Sequence, residues 1–336
     1  MAIIPSIRRQ LGQDWKKSGK RLISNSRRID YRMNCIVVGL GIQGKKRQRI
    51  AGNEVVATVD PKLPEATYQR IEDVPLESFD AALCCIPDDP KPRLLQYLLK
   101  NRKHVLVEKP LLGKSRTELK ELSTLAEEKH VVCYTAYNHR FEPHLVTTRQ
   151  ILLSGELGKI YQANFFYGNG TVRDVRNSPW RDRDLGVITD LGSHLLDWTL
   201  FLFGEPKALP SLWAVQRFEN KAPDYAKFAI QGEILMQYEV SLLSWRNSFR
   251  MDLWGEKGSL HVDCLCKWGP STLTVRNRAL PSGRPKERLE TLEKADPTWE
   301  AEYNHFKSLC LNPSHNLKND IWIQAMFEEL RRQVVS

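Results

Sequence analysis

The sequence predicts an α/β protein with two regions: a doubly wound parallel sheet, followed by a mostly antiparallel sheet. Three observations support this prediction. Apolar runs alternate with helix-like segments from Met33 to about Tyr137, as a parallel sheet with crossover helices requires. A glycine-rich turn joins the first strand to the first helix. From Asn138 onward, apolar runs soon follow one another with short turns between them, which is typical of an antiparallel sheet.

The first predicted strand leads directly into a turn of the phosphate-binding type. The apolar run CIVV is followed at once by G-x-G-x-x-G and a helix-like segment. In this motif the glycines permit a sharp turn, close approach of a pyrophosphate and packing of the helix on the sheet. The helix N-terminus offers unpaired N–H groups to the phosphates. The alternative is a purely structural turn. We predict dinucleotide binding by Gly39, Gly41, Ile42, Gln43 and Gly44.

An acidic residue follows the second predicted strand. Asp60 lies 21 residues beyond Gly39, close to the spacing of about 20 at which such motifs place the acid that binds the adenosine ribose. A carboxylate there would repel the 2′-phosphate of NADP, whereas the nearby Lys62 would attract it. The predicted cofactor is therefore NAD or NADP, with NAD favoured by Asp60.

Three further strands complete the predicted parallel sheet, at 81–86, 104–107 and 131–134. The carboxyl ends of such strands form the edge at which open α/β sheets bind ligands. Lys109 follows the second of these strands and would lie near the nicotinamide. The charge of the oxidised ring and partial burial would lower the pKa of this lysine and make it a proton donor or acceptor. The alternative is an exposed loop lysine.

The predicted domain boundaries follow from this change of pattern. Residues 33–137 form the dinucleotide-binding domain, 138–319 form an α+β domain for substrate and oligomerisation, and 320–336 form a C-terminal helix that could pack on the first domain. The second domain is predicted to contain one helix over 190–203 and a polar loop over 276–288.

Charge and composition exclude several classes. Residues 1–32 carry nine Lys or Arg against two Asp, so most of the net charge of +10 lies in this segment. We interpret it as a disordered tail or annotation artefact, with a binding arm or targeting segment as alternatives. No apolar run approaches the ~20 residues of a membrane span, and no nucleic-acid recognition element is present. The seven cysteines and the lack of a secretory signal favour the cytoplasm.

Asp190, His194 and Asp197 share one face of the helix predicted over 190–203, because they are spaced i, i+4 and i+7. A carboxylate one turn from a histidine can orient the imidazole and raise its basicity. The alternatives are a helix N-cap next to a structural histidine, or a metal site, which no second His/Asp cluster completes. No metal is predicted. The polar segments 137–141 and 180–184 are predicted to face the cleft between domains or to be solvated loops.

Together these features resemble the glucose–fructose oxidoreductase/inositol dehydrogenase (Gfo/Idh/MocA) family. The resemblance runs from Met33 to the C-terminus and implies a Rossmann domain, a second α+β domain with a large open sheet, and a bound nicotinamide cofactor. It depends on five motifs in order: GLGIQG (39–44), KHVLVEKP (103–110), YNHRFEP (137–143), GELGKI (155–160) and DLGSHLLDW (190–198).

The resemblance also implies roles for individual residues. Lys109 matches the catalytic lysine, and Asp190 and His194 match a carboxylate–histidine pair. We accordingly predict catalysis by these three residues, further cofactor contacts at Pro87, Glu108, Lys109, Pro110 and Asn138, and substrate contacts at Lys109, Arg140, Trp180, Arg181, Asp190 and His194.

The expected activity is that of an enzyme, an NAD(P)-dependent oxidoreductase acting on a secondary alcohol or ketone of a sugar, sugar derivative or cyclitol. One alternative is a non-catalytic NAD(P)-binding regulator on the same fold. Another is a reductase of an imine or tetrapyrrole, because the segments around Pro90 and 184–188 depart from the family pattern.

The second-domain sheet is expected to mediate self-association. Its apolar and aromatic outer positions would promote aggregation if exposed, so we predict a homodimer or homotetramer built on that face. The positions assigned to it are Phe165, Tyr167, Trp213, Phe228 and Trp245.

Overall fold

The protein is described by a computed structural model that covers residues 32–178 and 180–335. All but one residue of the basic N-terminal segment therefore lies outside the described residues. The strands are β1 (Cys35–Val38), β2 (Val55–Val59), β3 (Ala81–Cys84), β4 (His104–Glu108), β5 (Cys133–Ala136), β6 (Ile160–Gly168), β7 (Pro210–Gln216), β8 (Tyr225–Gln231), β9 (Leu235–Ser241), β10 (Ser248–Gly255), β11 (Gly258–Asp263), β12 (Ser271–Asn277) and β13 (Lys286–Leu292).

The helices alternate with strands in the first region and are concentrated at a few points in the second. They are α1 (Ile42–Ala51), α2 (Lys91–Lys100), α3 (Arg116–Lys129), α4 (Pro143–Ser154), α5 (Val172–Arg176), α6 (Val187–Asp190), α7 (Gly192–Phe203), α8 (Thr298–Leu311) and α9 (Leu317–Val335).

Strands β1 to β5 form a parallel sheet in the order β2-β1-β3-β4-β5. Strands β1, β3 and β5 are buried along their whole length, because helices cover both faces of a sheet of this kind. The chain order reverses beside β1, at the point where open α/β sheets form a ligand crevice. This confirms the predicted doubly wound parallel sheet.

Strands β6 to β13 form the second sheet in the order β13-β12-β11-β10-β6-β9-β8-β7. Neighbouring strands are antiparallel except for β6 and β9, which are parallel. The mostly antiparallel second sheet is therefore confirmed. The polar loop predicted over 276–288 is partly wrong, because its two ends belong to the paired strands β12 and β13. Strand β13 is exposed along most of its length and so lacks the apolar alternation that marks a half-buried strand.

The side of the second sheet that faces solvent differs from the prediction. Phe165, Tyr167 and Phe228 are at most 6% exposed and belong to the main apolar core, so their assignment to an outer face was wrong. Residues alternate between the two faces of a strand, and each of these aromatic side chains lies on the covered face. Trp213 on β7 is 46% exposed, as predicted. Trp245 is 71% exposed but lies in the loop between β9 and β10, outside the sheet.

Elements near the C-terminus pack back on the parallel sheet. Helix α8 lies within the range predicted for the second domain, yet its Tyr303 and Phe306 join the apolar cluster of β1 and β3. Helix α9 begins at Leu317, three residues before the predicted start, and packs against α3 and β7. The two regions are therefore joined by packed helices as well as by the chain connection.

Asp320 on α9 is a buried carboxyl group that connects α9 to β5. Its side-chain oxygens accept hydrogen bonds from the Thr135 hydroxyl (2.9 Å) and the Tyr137 hydroxyl (3.3 Å). Burial raises the pKa of Asp320 to about 8, although both hydroxyl groups favour the charged form. No cation forms an ion pair with it among the described residues.

This carboxyl group should make stability depend on pH. Its pKa is higher in the folded than in the unfolded protein, so the folded state binds the extra proton between about pH 4 and about pH 8, and the free energy of unfolding falls as pH rises through that window. For a single uncoupled group the slope is up to about 1.4 kcal/mol per pH unit. We expect Asp320→Asn to flatten this slope in urea unfolding experiments at pH 5, 6 and 7. Equal slopes for the variant and the wild type would contradict the assignment.

Candidate active site

The glycine turn is built so that its backbone forms an open cradle. Gly39 has a φ of +89°, and a Cβ there would lie 2.5 Å from the Cys85 carbonyl oxygen. A Cβ on Gly44 would lie 1.8 Å from the Gly39 carbonyl oxygen. At Gly41, which precedes α1, an added Cβ would meet nothing within 4 Å. Two of the glycines therefore permit close packing, whereas the third borders open space.

The start of α1 fits a pyrophosphate. The first turn of α1 contains no acidic residue and no side chain caps it, so its N–H groups and the positive end of its dipole are available to an anion. Ile42 at this end is 88% exposed and Gln43 is also exposed. A dinucleotide lying across the turn would cover both side chains.

Asp60 lies directly beside this turn. Its carboxylate accepts a hydrogen bond from the backbone N–H of Leu40 (2.8 Å) and one from that of Lys62 (2.9 Å). Burial would raise the pKa of Asp60, but these backbone hydrogen bonds lower it below the usual value. A negative charge is therefore fixed next to the glycine turn, at the place where a ribose hydroxyl group would donate to it.

Lys109, at the carboxyl end of β4, is held by a residue of the second region. Its Nζ donates to the Asp190 carbonyl oxygen (2.8 Å) and lies 3.1 Å from Asp190 Oδ1. Arg181 Nη2 donates to Asp190 Oδ2 (2.9 Å). Burial would raise the pKa of Asp190, but the charges of Lys109 and Arg181 lower it to about 2. One carboxylate therefore holds two cations at the junction of the two regions.

The predicted helix over 190–203 is interrupted, and this changes the relation of Asp190 to His194. Helix α6 ends at Asp190, and α7 begins at Gly192. The Asp190 side chain accepts from Lys109 and Arg181 instead of His194. Orientation of His194 by the Asp190 carboxylate, inferred from a continuous helix, is therefore absent from the described structure. The two residues do lie together around Lys109.

His194 is held by aromatic packing. Its imidazole stacks on that of His139, with ring centroids 4.1 Å apart and planes inclined by 21°. Tyr137 and Tyr167 also pack against it, at 6.3 and 5.9 Å. Burial, followed by the nearby charges of Lys109 and Lys267, lowers its pKa well below the usual value. His194 is therefore a neutral imidazole at pH 7.

Two residues of this cluster were missed by the sequence analysis. His139 lies within the segment 137–141 but was not singled out, and Lys267 lies in a short 3-10 helix, Cys266–Trp268, far along the chain. Lys267 Nζ lies 2.5 Å from His139 Nε2. The YNHRF motif offered a signal for His139. A lone lysine between two strands offered none.

Other predicted site residues are engaged in structural contacts. Arg140 forms a two-fold ion pair with the buried Asp197, at 2.7 and 2.5 Å. Asn138 donates through Nδ2 to Thr298 Oγ1 (2.7 Å) and is 6% exposed. These contacts fix the segment after β5 against α7 and α8.

Glu108 is also engaged, whereas Pro87 and Trp180 are free to contact a ligand. Glu108 Oε1 accepts from Arg47 Nε (2.8 Å), and Arg47 Nη2 donates to Glu302 (2.6 Å). Pro87 is exposed after β3, and Trp180, next to Arg181, is 49% exposed.

Within residues 32–178 and 180–335, no group of three or more His, Cys, Asp or Glu side chains is arranged to hold a metal ion. In the same residues, no helix is long and apolar enough to cross a bilayer.

A parallel sheet with this glycine turn and acid, joined to a second domain whose Asp190 contacts Lys109, is typical of a two-domain dinucleotide-binding oxidoreductase. Residues 33–137 match the family model described as an oxidoreductase family with an NAD-binding Rossmann fold. Residues 145–261 match the GFO/IDH/MocA C-terminal domain. The chain belongs to the GFO/IDH/MocA family, which confirms the resemblance inferred from the motifs.

Several curated proteins are similar to this chain. Scyllo-inositol 2-dehydrogenase (NADP(+)) from Bacillus subtilis is 33% identical over 128 residues, which are 37% of this chain and 34% of that protein. Inositol 2-dehydrogenase 2 from Saccharopolyspora erythraea is 24% identical and covers 76% of this chain and 79% of that protein. The chain spans 34–43% of the lengths of four of the relatives that it matches.

Solved structures share the fold. A putative NADPH-dependent oxidoreductase from Desulfitobacterium hafniense has a TM-score of 0.78 at 15% identity and covers 90% of this chain and 96% of that one. Levoglucosan dehydrogenase, in complex with NADH and levoglucosan, has a TM-score of 0.74 at 16% identity and covers 90% of this chain and 97% of that one.

The different surroundings of Gly41 and Gly44 lead to a prediction. Gly41→Ala should fold with wild-type stability, because its Cβ points into open space, but should raise the NADH dissociation constant at least about tenfold, a loss of about 1.4 kcal/mol. Gly44→Ala should lower the melting temperature, because its Cβ collides with backbone. Thermal unfolding and NADH fluorescence titration measure both effects. Tight NADH binding by Gly41→Ala would show that the cradle does not hold the cofactor.

Proposed function

We propose that the protein is an NAD(P)-dependent dehydrogenase or reductase that acts on a CH–OH group or ketone of a sugar, sugar derivative or cyclitol. The observation that carries the proposal is the cluster of Lys109, Asp190 and His194 at the carboxyl edge of the parallel sheet, next to the glycine turn. The names of related proteins, which act on inositols, levoglucosan and glucose 6-phosphate, support this substrate class.

In this proposal Gly41, Ile42, Gln43 and Gly44 bind the pyrophosphate of the cofactor through backbone N–H groups. Gly39, whose own N–H donates to the Val59 carbonyl oxygen (2.8 Å), permits the turn that brings the pyrophosphate close. Asp60 accepts a hydrogen bond from the adenosine ribose and favours NAD, because its carboxylate is already fixed beside the turn. Pro87, Glu108, Pro110 and Asn138 form the surroundings of the nicotinamide half. The nicotinamide supplies the hydride acceptor when oxidised and the donor when reduced.

The proton of the substrate hydroxyl group is proposed to pass to His194. A neutral imidazole can accept a proton at pH 7, and burial beside two ammonium groups keeps this one neutral. Lys109 is proposed to donate a hydrogen bond to the same oxygen and stabilise its developing charge. Asp190 positions Lys109 through two contacts.

The remaining substrate contacts are assigned by position. Arg181 and Trp180 lie in the loop that reaches Asp190, and the exposed indole of Trp180 suits the apolar face of a sugar ring. Arg140 is proposed to affect substrate binding indirectly. Its ion pair with Asp197 holds in place the segment that carries His139.

Replacement of Lys109 tests the mechanism. Lys109→Met should lower turnover about 100- to 10,000-fold, because the substrate oxygen loses its hydrogen-bond donor. NADH binding should stay close to wild type and be tighter than NADPH binding in fluorescence titrations. Turnover is followed by NADH absorbance with a panel of sugars, sugar derivatives and cyclitols.

The exposed Lys120→Met on α3 serves as the matched control and should keep full turnover. Unchanged turnover in Lys109→Met would remove Lys109 from the mechanism. Tight NADH binding without turnover by the wild-type protein on any substrate would favour a non-catalytic regulator or a reductase of a non-sugar substrate.

We also propose a homodimer or homotetramer formed through the uncovered face of the second sheet. Alternate residues of β6 and β10 on this face are partly exposed and include the aromatic side chains Phe166 and Trp254, and Trp254 is 36% exposed. Tyr161 and Trp213, at breaks in the strand register, are also 49% and 46% exposed. Large aromatic side chains are enriched at protein interfaces. Sedimentation velocity at micromolar protein should show a dimer or tetramer. A single monomeric species would contradict this arrangement.

A further inference from the structure

Lys267 places an ammonium group at the proposed catalytic cluster from an element that the mechanism does not use. Its Nζ lies 2.5 Å from His139 Nε2 and 4.6 Å from the centroid of the Trp268 ring. His139 stacks on His194, and the charge of Lys267 lowers the pKa of both imidazoles. The ammonium of Lys267 is therefore close enough to affect the pKa of His194, the proposed proton acceptor.

This ammonium forms no ion pair with a carboxylate among the described residues. Glu142 lies nearby but is fully buried, and its oxygens accept from the backbone N–H and thiol of Cys266. Asp296 accepts from Thr298 and lies 3.6 Å from Lys46. Burial lowers the pKa of Lys267 to about 8, although Asp296 and Glu142 oppose the shift. The group is therefore still mainly protonated at pH 7.

Lys267 is partly buried, and a partly desolvated ammonium without a counterion lowers stability, so a ligand that supplies the counterion would stabilise this arrangement. The surroundings add further positive charge. Lys46 and Lys109 are both close enough to lower the pKa of Lys267. Asp190, the carboxylate nearest to Lys109, is already shared with Arg181. The cluster thus has more cationic than anionic groups, and its field attracts a negatively charged ligand.

We propose that the substrate carries an oxyanion, either a carboxylate or a phosphate, and that Lys267 binds it. This inference rests on the proposed dehydrogenase function and narrows its substrate class to acidic sugar derivatives. The bound oxyanion supplies the counterion that Lys267 lacks, through a charge-assisted hydrogen bond. His139 Nε2 accepts from the same ammonium and fixes its direction.

The test compares three ligands with one ring: D-glucose, D-glucuronate and D-glucose 6-phosphate. Calorimetric titration of the NADH-loaded protein at pH 7 should show at least one anion binding about ten times more tightly than glucose or better, the gain typical of a charge-assisted contact. Whichever anion is preferred distinguishes a carboxylate from a phosphate. Absence of any preference in the wild-type protein would overturn the proposal.

Two variants isolate Lys267. Lys267→Met should retain its fold and NADH binding but lose most of the preference for the anion, whereas Lys267→Arg should keep it. An unchanged preference in Lys267→Met would overturn the proposal. If Lys267→Met fails to fold, the comparison of Lys267→Arg with the wild type at different pH values replaces it.

The pH dependence provides a readout that a structural lysine would not change. As Lys267 loses its proton between about pH 7 and about pH 9, the wild-type preference for the anion should fall, while that of Lys267→Arg should stay level. Equal pH profiles would overturn the proposal. The other charged or titratable groups near Lys267 are common to both proteins: Lys46, Lys109, His139, Glu142, His194 and Asp296.

This outcome is separable from the proposed function. If NADH binds, Lys109→Met abolishes turnover on a neutral substrate and neither anion binds more tightly than glucose, the dehydrogenase proposal survives while the assignment of Lys267 fails.

Discussion

The geometry of the site depends on one carboxylate that holds cations from two parts of the fold. Asp190 contacts Lys109 from the parallel sheet and Arg181 from the loop before α6. Without it, two positive groups would repel each other in a partly buried cleft. The interruption after α6 makes the arrangement possible, because the backbone carbonyl of Asp190 also accepts from Lys109. The interaction therefore fixes the lysine and also holds the second domain against the cofactor edge.

The positive charge of this cluster controls the protonation of its histidines. His139 and His194 are buried, stacked and exposed to the charges of Lys109 and Lys267, and each effect disfavours the imidazolium. A carboxylate bonded to His194 would have the opposite effect, because it would stabilise the charged ring. The contact of Asp190 with Lys109 instead of His194 is thus compatible with the proposed role of His194, which requires a neutral imidazole to accept the proton.

The parts of the site that could be predicted from the sequence are those whose position depends only on local backbone structure. The glycine turn, Asp60 and Lys109 are placed by strand ends and by backbone conformations that glycine permits. The predicted partner of His194 was wrong because helical spacing assumes an unbroken helix, and the sequence does not mark the break at Leu191. The outer face of the second sheet was misjudged because alternation identifies two faces without showing which one is covered.

Several residues proposed to contact the substrate come from distant segments of the second domain. Arg181, His194 and Lys267 come from a loop, a helix and a short turn between strands, so their proximity depends on tertiary packing. The proposed contacts with the pyrophosphate and the adenosine ribose, by contrast, all lie between β1 and the residue that follows β2. A single fold can therefore retain its cofactor site while loops and turns of the second domain change. The proposed acidic substrate therefore depends on the charge around Lys267 in the second domain, whereas the shared fold leaves the substrate open.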